Sequence, residues 1–261
     1  MRMWLIVIVA PVLLAGCSTV PVSFHPTQPI APNDFSHRAF DEVLQAHVKD
    51  GAVDYPAVAN DARFSTYLDQ LDRVDPNALP SRRHKLAFWI NAYNAFAIKG
   101  ILDGYSPLSM IGQWRYFIGA THRVGGESIN LYDLERKLLI PGFREPRIHF
   151  AIVCASRSCP NLRSQAFTAD RLEAQLEESS RAFINDPVKN RFDRERHTAY
   201  LSKIFEWFEP DFRAHAESLL NYVRRYVSNQ DQAADLATQP YRIEFLEFDW
   251  HVNGEAYAGA P

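Results

Sequence analysis

One segment constrains the fold more than any other: KLAFWINAYNAFAIKGIL, Lys85 to Leu102. Its apolar residues fall on nearly every side of a helical wheel, so no face is left for water, and a helix of that kind is buried all round. Gly104 and Pro107 close it. The chain has 261 residues, enough for one sizeable domain with a full core. Neither an internal repeat nor a second shift of composition interrupts it after residue 35.

The remaining elements are expected as follows. Phe35 to Val48 has the pattern of an amphipathic helix broken by Asp50-Gly51 and Tyr55-Pro56, and Arg63 to Leu71 that of a second, closed by Asp75-Pro76. Thr121 to Leu131 reads as a hairpin turning at Gly125-Gly126. Asn130 is placed to cap a helix from Leu131 to Leu139, with Asp133 at its third position. IHFAIVC, Ile148 to Cys154, is a short continuous apolar run, the pattern of a central buried strand. Thr168 is expected to cap a helix from Ala169 to Ile184, with Phe167 and Leu172 as its hydrophobic staple. A short strand at Ala199–Leu201 leads through Ser202 to a brief helix, Lys203 to Phe208. Pro210 then opens a helix with Phe212, Ala216, Leu219, Val223 and Tyr226 on one face. Tyr241 to Val252 alternates as a strand whose phase slips at Phe245-Leu246, implying a bulge. Many helices with few scattered strands imply an α+β class: a helix-rich single domain around a small buried mixed β-sheet.

The formal net charge is -3 with no long basic run, which argues against nucleic acid as a partner. At the N-terminus, Met1-Arg2-Met3 carries one positive charge, and Trp4 to Leu14 is apolar but too short to span a bilayer as a stable helix. Leu14-Ala15-Gly16-Cys17 follows and resembles a bacterial lipobox. That resemblance implies a signal peptide over residues 1–16, cleavage before Cys17, diacylglycerol on its sulfur and acylation of its new amine. Several acyl chains anchor far more firmly than one. Ser18 in place of Asp favours the outer membrane, by resemblance to sorting signals. The alternative is an ordinary secretory signal with a chance cysteine. Residues 17–34, with Pro21, Pro26, Pro29 and Pro32, read as the anchor and a Pro-rich spacer ahead of a domain over 35–258. The expected partner is therefore a membrane, through Cys17, on the periplasmic side of a bacterial cell envelope. Any protein or other envelope partner stays unspecified.

Five motifs occur in order: FWINAYNAFAIK (Phe88 to Lys99), INLYDLE (Ile129 to Glu135), HFAIVCASRSCPNLR (His149 to Arg163), LSKIFEWFEPDF (Leu201 to Phe212) and FLEFDWHVN (Phe245 to Asn253). Together they resemble the family called domain of unknown function 547, over roughly Phe35 to Asn253. The resemblance implies kinship and no settled activity. Arg136 departs from it, standing where the family pattern leads one to expect a histidine after the glutamate.

The residues that could carry chemistry are Cys154, His149, Glu135 and Asn94. Asn91, His251 and Asp249 are candidates for holding a ligand. Cys154 stands where an apolar run opens into a polar loop, a common place for catalytic groups. Three readings of it remain open: a nucleophilic thiolate, an inert buried thiol, and a disulfide with Cys159, the only other thiol left once Cys17 is lipidated. On a strand, His149 and Cys154 would face opposite sides about 16 Å apart, too far for a direct pair. A histidine partner for Cys154 would then be His251. Asn91 and Asn94, one helical turn apart on an apolar helix, either tie that helix to a loop backbone or point into a cleft. A helix followed by a histidine-bearing strand and a strand carrying Asp249 has a fold-level likeness to papain-like and transglutaminase-like proteins, but no cysteine stands at the helix start. The nine histidines are scattered and no phosphate loop is present, so neither a metal nor a cofactor is expected.

Two functions follow. One is an envelope lipoprotein that binds a partner or ligand. The other is a thiol- or histidine-dependent hydrolase or acyl transferase acting on an envelope peptide or peptidoglycan. Whether Asn94, Glu135, His149 and Cys154 line one open cleft separates them.

Overall fold

A computed structural model describes residues 23–254, so the expected signal peptide over residues 1–16 and Cys17 lie outside the described residues. The apolar segment is a helix over Arg82–Leu102, and from Leu86 to Ile101 every residue except Lys99 is buried. It starts ahead of Lys85 because the Ser81 side chain accepts from the His84 amide and caps it. Gly104, at φ +84°, ends it.

The chain wraps this helix from both sides. α1 (Arg38–His47) leads into the hairpin β1 (Val48–Lys49) and β2 (Ala52–Val53), then α2 (Tyr55–Ala59) and α3 (Ala62–Arg73). Phe40 of α1 stacks on Tyr67 of α3 at 4.9 Å. The buried helix is α4. After it come α5 (Met110–Trp114), a π-helical stretch over Arg115–Gly119, and the hairpin β3 (His122–Val124) and β4 (Glu127–Ile129). Gly125 and Gly126 turn that hairpin at positive φ, as expected. α6 (Leu131–Asp133) is capped by Asn130 on the Asp133 amide, as expected, but it continues as π-helix over Leu134–Leu139 before α7 (Ile140–Phe143). The second half holds α8 (Leu172–Ile184), β5 (Arg191–Asp193), β6 (Thr198–Leu201), α9 (Lys203–Trp207), α10 (Glu209–Arg213), α11 (Leu219–Val223), α12 (Gln230–Thr238) and β7 (Arg242–Phe245). β6 pairs antiparallel with β5 and parallel with β7, a small mixed sheet in which Ala199 and Leu201 are buried. The class is α+β and helix-rich. Among the described residues no helix is long and apolar enough to cross a membrane.

Five local expectations need correction. Ile148 to Cys154 is not a strand: Pro146–Phe150 forms a 3-10 turn capped by Glu145, and the chain beyond it is irregular. Among the described residues no strand lies alongside to pair with it. Instead the Asn94 amide takes its backbone, donating to the Ala151 carbonyl at 3.0 Å and accepting from the Val153 amide at 2.8 Å. α8 begins at Leu172 rather than after Thr168, because the Gln175 side chain engages the Thr168 amide and the Ala166 carbonyl and holds 166–168 extended. The helix expected from Pro210 is two short ones, since Ser218 caps a fresh start at Leu219. β7 stops at Phe245, where the phase slips, because its partner β6 ends at Leu201 and Ser202 turns the chain into α9. Finally, the spacer does not reach residue 34. Phe24 is buried, with its ring 5.8 Å from that of Trp89, and Ile30 bonds to the Arg73 carbonyl.

The core has two parts. One surrounds α4. The other is an aromatic cluster in the second half, in which Phe150 stacks on Phe183 at 5.1 Å and on Phe212 at 5.6 Å. The 3-10 turn carries Ile148 into the first part and Phe150 into the second, so His149 sits at the seam between them. The C-terminal segment returns to β2, where the Val53 amide bonds to the Asn253 carbonyl and the Tyr55 hydroxyl donates to Asn253 Oδ1 at 2.7 Å. At Gly254 the Val53 carbonyl leaves no room for a Cβ.

Candidate functional site

The seam opens to solvent as a cleft of about 540 Å³. α4 contributes Tyr93, α5 and the π-helical turn after it contribute Trp114, Phe117 and Ile118, and the π-helical stretch after α6 contributes Glu135 and Arg136. His149, Ile152 and Cys154 come from the irregular segment, Ile204 and Trp207 from α9, and Phe248 and Trp250 from the C-terminal segment. Two π-helical stretches thus border the cleft, a distortion often found at functional sites. A wider depression of about 770 Å³ lies at the start of α4, but most of its charged lining residues, Arg38, Arg83, Asp170 and Arg171, are exposed, as a solvated surface is, and Asp41 is taken up by the Ala166 amide.

The polar groups of the cleft gather around Phe208. His149 is buried, its ring centroid is 3.9 Å from that of Phe208, and its Nε2–H donates to Asp211 Oδ2 at 2.8 Å. Burial holds the imidazole below its ordinary value, against the pull of Asp211. With the proton on Nε2, Nδ1 is left as an acceptor. Glu135 is pushed up to about 7, chiefly by burial and against the nearby Arg136 guanidinium. The Tyr93 hydroxyl donates to Glu135 Oε2 at 3.4 Å. The Arg136 guanidinium lies over the Phe208 ring at 4.1 Å, a cation–π contact, and 3.8 Å from Glu135 Oε1. A carboxyl pushed up towards neutrality and a neutral imidazole lining one cleft are the equipment of proton transfer.

The rim is aromatic. Trp207 stacks on Trp250 at 5.8 Å, Phe248 lies 4.5 Å from Trp250, and Phe117 contacts Trp250 edge-on. Around it Met110 is 85% and Trp114 59% exposed, and α5 buries no residue at all. Exposed large apolar side chains clustered beside a cleft mark an interaction site.

Of the residues singled out from the sequence, Glu135, His149, Cys154 and Cys159 meet in this cleft. Cys154 and Cys159 are joined as a disulfide with Cα atoms 6.2 Å apart, so neither sulfur is a thiolate nucleophile. Asn94 does not line the cleft; it braces the backbone that carries His149 and Cys154. Asn91 likewise lies elsewhere, paired with both backbone groups of Phe167. Asp249 and His251 bond to each other at 2.6 Å on the outer surface, and their backbones stitch down the loop at Arg157–Ser158. His251 is therefore not the partner of Cys154. Sequence reasoning overlooked Asp211 and the aromatic rim. Asp211 stood inside a quoted motif, and the run Met110-Ile111-Gly112-Gln113-Trp114 carries apolar residues with no charge to solvate them, a signal that was there to read.

Residues 76–184 match the family model described as "Protein of unknown function, DUF547". The match covers the motifs at Phe88–Lys99, Ile129–Glu135 and His149–Arg163 and stops short of those at Leu201–Phe212 and Phe245–Asn253. No curated protein and no solved structure matches the chain.

Proposed function

We propose that this chain is an envelope lipoprotein, anchored through Cys17 on the periplasmic side of the outer membrane, whose domain binds a ligand in the aromatic-rimmed cleft. The domain kinship is read as extending over Phe35 to Asn253. The observation that carries the binding reading is the cleft itself: a concave site of about 540 Å³ with a few convergent polar groups under an exposed aromatic rim. The anchoring reading rests on Leu14-Ala15-Gly16-Cys17 after an apolar run. Labelling cells with radioactive palmitate tests the anchor. Label on the native chain and none on Cys17→Ala is expected; an unlabelled native chain refutes it. Filling the cleft with Ile152→Trp tests the site. Any ligand found by thermal-shift screening should lose its effect in this variant, and a ligand that retains it binds elsewhere.

A second reading, a hydrolase or acyl transferase acting on an envelope peptide or peptidoglycan, is favoured by one feature: Glu135 near neutrality in the same cleft as the His149–Asp211 pair. Glu135 or His149 would take the proton from an attacking water, with Arg136 near the developing negative charge. Turnover of a peptidoglycan peptide that disappears in Glu135→Gln supports it. Turnover unchanged in Glu135→Gln and His149→Gln retires it.

A further inference from the structure

No residue of α5 is buried. Five of the large apolar side chains exposed among the described residues stand together on it and its flanks: Leu108, Met110, Ile111, Trp114 and Ile118. Residues 104–126 hold no Asp or Glu, in a chain with 31 of them. Arg115 and Arg123 are exposed on the same stretch, and of the two Arg123 pairs with Asp72. Among the described residues lining the cleft beside α5, Glu135 is the one acid. An apolar face with a cation at its edge and no acid on its own segment has the composition of a helix that lies in the surface of an anionic bilayer. Trp114 suits that place, because its ring is apolar while its indole N–H is left to meet water or headgroups.

The N-terminal segment reaches the domain on the same side. Trp89, Tyr93, Phe96 and Gly100 are spaced four, three and four apart, so they share one face of α4. Phe24 lies 5.8 Å from Trp89, Tyr93 lines the cleft with Trp114, and His122 stacks on Phe96 at 4.8 Å. Tyr116 takes the space that the missing Cβ of Gly100 leaves. Phe24 and His25 also press on Gly125 and Gly126 at the tip of the hairpin that follows α5. The N-terminal segment, the hairpin and the turn after α5 thus lie in line along α4. At ~1.5 Å per residue, Trp89 and Gly100 are about 16 Å apart on its axis. Cys17 is six residues before Ser23, a reach of about 20 Å when fully extended. A lipid on Cys17 therefore holds this side of the domain close to the bilayer. A second copy of the chain fits the face less well. A stable dimer takes about 20–30 residues a side, whereas this face is one short helix and its flanks.

On the reading of the chain as anchored through Cys17, we propose that α5 and its flanks dock on the surface of that same bilayer. Leu108, Met110, Ile111 and Trp114 sit at the boundary of headgroups and acyl chains, and Arg115 lies among the headgroups. Lipid and face are then two points of attachment, and together they set the orientation of the domain.

The test uses the full chain as cells make it, purified with its lipid and placed in vesicles of phosphatidylethanolamine and phosphatidylglycerol with brominated acyl chains. Bromine quenches tryptophans that touch the acyl region. The native chain should be quenched, and Trp114→Phe should lose most of that quenching. Met110→Glu combined with Ile111→Glu should reduce it by at least about threefold, because carboxylates are costly to bring into that boundary, while the lipid keeps the chain on the vesicles. Circular dichroism checks that the variants fold. Quenching that persists in Trp114→Phe, or that is equal in the native chain and the double variant, overturns the docking. If Trp114 is unquenched while cross-linking on the vesicles yields a dimer that the double variant loses, a second copy covers the face and the bilayer is overturned. Palmitate labelling scores the anchor separately. Label on Cys17 with no quenching of Trp114 leaves the anchor standing and overturns the docking. An unlabelled chain whose quenching depends on Trp114 retires the anchor and supports the docking.

Discussion

Replacing Glu135 with Gln should stabilise the protein above about pH 4.5, with the full gain reached above neutrality. Unfolded, Glu135 ionises near its ordinary value of 4.5; folded, burial holds its proton until about pH 7. Below pH 4.5 both states carry the proton and the group is neutral towards stability. Between 4.5 and about 7 only the unfolded chain releases it, so stability falls as pH rises, and above pH 7 the full difference is lost. At ~1.4 kcal/mol per pH unit that interval amounts to about 3 kcal/mol. Glutamine has the same shape, cannot ionise, and still accepts from the Tyr93 hydroxyl. Urea unfolding of Glu135→Gln and the parent is therefore expected to give equal midpoints at pH 4 and a gain of about 3 kcal/mol for the variant at pH 8.5, with the same denaturant slope. A gain of the same size at both pH values would assign the effect to packing, and no gain at pH 8.5 would show that Glu135 is well solvated. Either result removes the basis for reading it as a proton-transfer group. A chain that keeps an acid at this cost is expected to use it.

Three further outcomes follow from the geometry. Asn94→Ala strands the Ala151 carbonyl and the Val153 amide in the core; at ~1–3 kcal/mol per stranded group the loss is about 2–6 kcal/mol. By differential scanning calorimetry the melting temperature should fall by roughly 10 °C, whereas an unchanged melting temperature with lost function would make Asn94 a site residue. Asp211→Ala leaves the buried His149 Nε2–H without an acceptor and removes the group that pulls its pKa up, so NMR titration should show His149 staying neutral to lower pH than in the parent; a rise refutes the pairing. Alkylating reagents should leave Cys154 and Cys159 unlabelled until a reductant is added, and Cys159→Ser should lose about 2 kcal/mol, the chain-entropy value for so short a loop. Rapid labelling without reductant would return Cys154 to the set of candidate nucleophiles.

Much of the fold was legible because it depended on neighbours in sequence. The buried helix announced itself by lacking a polar face, the hairpin by Gly125-Gly126, and α6 by the Asn130 cap. Ile148 to Cys154 was misread because a short apolar run looks the same whether its backbone pairs with a strand or with a side chain; only the approach of Asn94, from far away in sequence, decides which. The same holds for the end of β7, set by where β6 stops.

By itself, the sequence determined the α+β class, the helix at the centre of the core, and a short set of polar residues lodged in apolar surroundings. Tertiary structure alone decided which of those residues meet. It brought Glu135, Arg136 and His149 around Phe208 and sent Asn91 and Asn94 to brace backbone. It also paired Cys154 with Cys159 and drew in Asp211 and the tryptophan rim from distant segments. The physical reason is that burial, charge compensation and the pKa of a side chain are properties of the space around it, and that space is assembled from parts of the chain that carry no local record of one another.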